Sequence, residues 1–145
     1  EDGYDGCIMM VARTERDVVV RMVDGENFLD ELVGLGVPSG VIVCGIGMLR
    51  DVELGYWNGE RYEKHRHESP VELVSVQGTV ARHGDRCVVH PHVCVARRDG
   101  ATVGGHLFGG TVHNTAEVAI KIPAGMVLER AEEPSGLTGL YPRTD

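Results

Sequence analysis

The chain is poor in aromatic residues, with two Phe, one Trp and four Tyr among its 145 positions. An interior with so few rings has to be filled by aliphatic side chains. Much of the apolar content is valine in short runs, which favours strands over helices. Cysteine is equally sparse, at positions 7, 44, 87 and 94, and no two of these stand at the two-residue spacing of a zinc knuckle. A dense disulfide framework is excluded too, so four reduced, partly buried thiols are expected. No apolar run approaches the ~20 residues of a membrane-spanning helix, and no charged-then-apolar leader is recognisable. A soluble, cytoplasmic protein with no membrane partner is therefore expected. The first residue is Glu rather than Met, as in a trimmed chain. Positive charge is lacking as well: the formal charge is −8 and the basic residues are scattered. Such a field repels phosphate backbones, which argues against nucleic-acid binding by this domain alone.

What is present fits one domain over residues 1–145, a length that can bury roughly two-thirds of the surface its unfolded chain exposes. Residues 7–13 (CIMMVAR) and 18–23, separated by a polar turn, read as a hairpin. In GENFLDELVGLG, Phe28, Leu29, Leu32, Val33 and Leu35 recur at helical spacing, and Gly36 suits the left-handed residue that closes a helix. One helix of about ten residues is predicted there. Strands are predicted at 41–44, 48–56, 71–80, 87–96, 102–108 and 116–122. Asn58-Gly59, His83-Gly84-Asp85 and Arg98-Asp99-Gly100 mark turns, and the charged segment 60–68 is expected to be exposed. GIGMLR at 45–50 lacks the third glycine and the long helix of a dinucleotide-binding loop, so that reading is set aside. Past Pro123 the pattern fades into a tail containing Gly and Pro. The fold class is thus α+β: a strand-rich antiparallel sheet with one main helix, whose edges self-association would cover.

Chemistry concentrates in HPHVCVARRDGATVGGH, residues 90–106. Side chains alternate along a strand, so His90, His92 and Cys94 share one face while Val89, Val93 and Val95 share the other. Two imidazoles about 7 Å apart at their Cα atoms can lean onto one ion with bonds of about 2.0–2.1 Å. Whether His106 joins them depends on the turn. A three-residue loop, Arg98-Asp99-Gly100, pairs Arg97 with Ala101 and sets His92 opposite His106. A two-residue loop, Asp99-Gly100, opposes His106 to Val93 and turns it to the far face. Three neutral imidazoles with a vacant position are the ligand set of catalytic zinc, and they also suit iron or nickel. The glycines at 104 and 105 fit a place where a ligand or another backbone comes close. Glu72, a carboxylate in an otherwise apolar strand, is the candidate fourth ligand or proton shuttle, ahead of Glu117. His65 and His67 form a second same-face pair whose charged surroundings point to solvent. Cys94 reads as a buried thiol, and His113 has no evident partner.

These segments resemble the plant-and-prokaryote-conserved (PPC) domain family. The likeness runs through VRMVDGENF, the GIG before a strand, VELVSVQGTV, the two-histidine strand followed by GGH, and TAEVAI. It implies an antiparallel-sheet domain with a helix, assembled as a homotrimer. It also implies a divalent metal, zinc first, held by His90, His92 and His106, with room for a small-molecule ligand. Plant members add an Arg-Gly-Arg-Pro hook for A·T-rich DNA, which this chain lacks. The H-x-H and GGH pattern, with Glu72-Leu73 upstream, is also similar to acetolactate decarboxylase. Three functions follow as expectations: a metal-binding trimer, a metal-dependent lyase or hydrolase acting on a small oxo- or hydroxy-acid, and a DNA-associated regulator.

Overall fold

The structure is a computed structural model that describes residues 8–145. Cys7, where the first strand was expected to begin, lies outside the described residues. Valine-rich alternation produces nine strands among the described residues: β1 (Met10–Arg13), β2 (Asp17–Val23), β3 (Gly40–Trp57), β4 (Tyr62–His67), β5 (Val71–His83), β6 (Arg86–Ala96), β7 (Thr102–Lys121), β8 (Met126–Glu132) and β9 (Thr138–Thr144). The one helix, α1, spans Phe28–Gly34. Asn27 caps it, its side chain accepting a 3.0 Å bond from the Asp30 amide. Gly36 turns left-handed just beyond it, at φ +64°. The helix is seven residues long rather than about ten: Asn27, still extended, starts it, and it ends at Gly34, with Leu35 as its C-cap and Gly36 left-handed beyond.

All nine strands join one sheet, in which β3 pairs with β5 and β7, and β6 pairs with the same two strands. The pairings β7–β3–β5–β6–β7 therefore run in a ring, and ring closure removes sheet edges that would otherwise stay open. Inside it, Leu49, Leu54, Leu73, Val76, Val95 and Leu107 are buried, and Phe28 and Leu32 bring the helix onto the same core. The sheet is antiparallel apart from one parallel pair, Arg82 with Glu129, which brings β8 beside β5.

The structure departs from the expected strand boundaries in four places. The segments at 41–44 and 48–56 are one strand, as are 102–108 and 116–122. The glycines between them do not turn the chain: they run through as bulged, closely packed strand, and a side chain on Gly45 would strike Val76. The charged segment at 60–68 is mostly exposed, yet most of it forms β4 against β3. The tail after Pro123 is an ordered hairpin, β8–β9, whose Leu128 amide donates to the Ser39 hydroxyl (3.0 Å).

Candidate metal centre

Hairpin β6–β7 sets the register. The Arg97 amide donates to the Ala101 carbonyl and the Gly100 amide to the Arg97 carbonyl, each at 2.8 Å, and Gly100 lies at φ +84°. This is the three-residue loop, so His92 pairs with His106. Val93 and Val95 point into the core, leaving His90 and His92 on the outer face. Proline is tolerated between them because the β6–β7 ladder ends at His92, so β6 has only β5 beside it at Pro91. Backbone, not ligand, explains the glycines before His106: a side chain on Gly105 would press on the Gly55 carbonyl at 2.7 Å.

One donor nitrogen from each of His90, His92 and His106 lies within 4.8 Å of the other two. The Nε2 atoms of His90 and His92 are 3.3 Å apart. Two bonds of about 2.05 Å at a tetrahedral angle span about 3.3 Å, so this pair is already spaced for a shared ion. Nδ1 of His106 is buried with no hydrogen-bond partner, a cost that a cation on the ring nitrogen would relieve. Among the described residues, no carboxylate belongs to the cluster. The residues therefore fit a borderline divalent ion of the zinc type, which three neutral imidazoles suit.

The surroundings of His90 and His106 keep those two rings neutral. Burial, followed by the Arg130 guanidinium and His92, pushes His90 down to about 4. Burial, then His90 and His92, then Arg130 and Lys64, pushes His106 down to about 4. Desolvation penalises the imidazolium, and the neighbouring cations add to that penalty. The scarce aromatic rings gather here: His106 stacks on Phe108 at 4.2 Å, Tyr62 meets Phe108 edge-on at 4.8 Å, and Lys64 Nζ sits 4.2 Å over the Phe108 ring.

Glu72 does not join the histidines. It pairs with Ala96, four residues from His92, or about 13 Å along the strand. Its side chain is exposed, at a cavity of about 860 Å³ lined also by His67, Arg97 and Arg98. The expectation of a buried carboxylate in need of a cation fails because β5 shows Glu72 to solvent. Glu117, exposed and opposite Arg21 and Ile46 near the far end of β7, is no nearer. His65 and His67 do approach each other, with Nδ1 and Nε2 2.8 Å apart, but no third ligand accompanies them among the described residues. Cys94 is half-buried, and His113 bonds Arg50 through Nδ1 at 3.2 Å. Sequence reasoning missed Arg130 and Tyr62, because both reach the site from strands that were not foreseen.

Fold and site together define a small α+β fold, as expected, with a ring-closed sheet, one short helix and a three-imidazole cluster on its outer face. The chain belongs to the Plants and Prokaryotes Conserved (PCC) domain family, the PPC family of the motif comparison, whose sequence profile matches residues 9–122. Among solved structures it is similar to a PPC protein of Pyrococcus horikoshii, 27% identical over 90% of this chain and 92% of that one, with TM-score 0.79. A metal-containing protein of Archaeoglobus fulgidus is 26% identical over 92% and 96%, with TM-score 0.79. A proposed DNA-binding protein of Bacteroides thetaiotaomicron, 19% identical over 92% and 96% with TM-score 0.84, shares the fold. No curated protein matches the chain.

Proposed function

We propose that this chain is a single-domain, homotrimeric metal-binding protein in which His90, His92 and His106 hold one divalent ion, zinc first. The observation that carries this reading is the 3.3 Å separation of the His90 and His92 Nε2 atoms, with a His106 donor beside them. The Archaeoglobus relative, described as metal-containing, supports it. Three protein ligands leave a four-coordinate ion one position for a small molecule, and an ion so held polarises carbonyls or activates water. A lyase or hydrolase acting on small oxo- or hydroxy-acids is the reaction class that this chemistry serves. The unpaired thiols Cys44, Cys87 and Cys94 agree with a reducing cytoplasm.

Metal analysis of protein purified without chelators tests the reading. The expected result is about one equivalent of metal per chain, lost when all three histidines are changed to Ala. Metal-free protein, with a triple variant that melts like the wild type under added zinc, overturns it.

A further inference from the structure

Next to the three imidazoles stands a cation with no counter-ion among the described residues. Arg130, on β8, donates from Nη1 to the Thr138 carbonyl (2.9 Å) and from Nη2 to the Thr79 hydroxyl (3.0 Å). Thr79 is the cross-strand partner of His90, so the guanidinium is anchored beside the cluster. Its Nε is enclosed with no partner. No carboxylate pairs with Arg130 among the described residues, although six ion pairs occur elsewhere. A guanidinium has five N–H donors. Two are used and one is enclosed, leaving one on each terminal nitrogen.

Charge balance makes this arrangement informative. A divalent ion on three neutral imidazoles, beside Arg130, collects three positive charges with no acidic ligand in the cluster among the described residues. Half-buried charge of one sign is costly unless an anion accompanies it. Lys64, the other basic group near His106, is engaged by the Phe108 ring and by Glu53 at 3.5 Å. One free guanidinium matches one carboxylate, which can reach an ion with one end of its molecule and Arg130 with the other. We propose that Arg130 is the anion-recognition residue of this site, and that the ligand entering beside the three histidines is a small carboxylate. The inference rests on the metal reading above and adds to it the residue that recognises the ligand's acid group.

The test uses full-length protein loaded with cobalt(II), whose visible spectrum reports changes in coordination. Pyruvate is expected to perturb that spectrum saturably, with neutral methyl pyruvate and inorganic phosphate each binding more weakly. Arg130→Gln should weaken pyruvate binding at least about tenfold, the range for a charged hydrogen bond, while cobalt stoichiometry stays that of the wild type. Arg130→Lys, which keeps the charge and loses the fork, should fall between the two. Methyl pyruvate binding as tightly as pyruvate overturns the proposal without recourse to any variant, and phosphate binding more tightly overturns the choice of carboxylate. Full cobalt uptake with unchanged pyruvate affinity in Arg130→Gln overturns it while leaving the metal reading intact. Absence of cobalt uptake by the wild type overturns both.

Discussion

His90 and His106 carry a cost in the apoprotein that a metal would turn to use. Both are held down to about 4, against 6.5 for an unhindered histidine. Between those values the unfolded chain binds protons that the native chain refuses, so the stability of the apoprotein falls as pH drops from about 6.5 to about 4 and is insensitive to these groups above that window. Thermal melts of metal-free protein across pH 4–7 should show this slope, and His90→Ala combined with His106→Ala should flatten it. The pair His90–His92 was legible in the sequence because alternation alone sets two residues on one face. His106 was legible only through the turn, where two loop lengths competed. Glu72 was misread because an apolar strand does not reveal which of its faces water reaches. Arg130 was invisible: its meeting with Thr79 joins strands 51 residues apart in the chain.

Among the elements, hairpin β6–β7 matters most, since it sets the register that pairs His92 with His106. Its close approach to β3 depends on Gly105, at φ +157° with the Gly55 carbonyl against it. Gly105→Ala is expected to cost about 1–3 kcal/mol through overpacking and to weaken zinc binding by displacing His106, both measurable by melting with and without the metal. Gly55→Ala, which meets Phe108 rather than this backbone contact, should also disturb the ring that His106 stacks on. Helix α1 was readable from its 3.6-residue spacing and from Gly36, which closes it in the left-handed region. The long strands β3 and β7 were read as two pieces each, because glycine in a sequence signals a turn and a bulge alike.

At the scale of the whole molecule, the outer face of the sheet carries exposed apolar side chains. Val43 and Ile46 on β3 are 58% and 56% exposed, and Val19, Val41 and Val74 accompany them. Exposed apolar side chains gathered on one side of a sheet are expected to be covered by another chain. A homotrimer covering this face is the arrangement we propose. Val43→Glu combined with Ile46→Lys should then shift the mass measured by light scattering from three chains towards one, while a wild type already monomeric at micromolar concentration refutes the assignment. The formal charge of −8 predicts a second result. An A·T-rich duplex should not be retarded by micromolar protein at physiological salt, because few phosphates could be neutralised. Salt-sensitive retardation would favour the DNA-associated reading instead.

By itself, the sequence determined what depends on neighbours in the chain: strand alternation, the helix and its closing glycine, the absence among the described residues of a helix long and apolar enough to cross a membrane, and the motif that marks the family. These are consequences of local periodicity and composition, which act over a few residues. Only the tertiary structure decided the rest. It settled the loop length at Arg98-Asp99-Gly100, the exposure of Glu72, the continuity of β3 and β7, and the return of the tail as β8–β9 with Arg130 beside the histidines. Each of these is a choice between locally similar alternatives. Packing against strands distant in the chain separates them, because burial and cross-strand fit apply only once those strands have met.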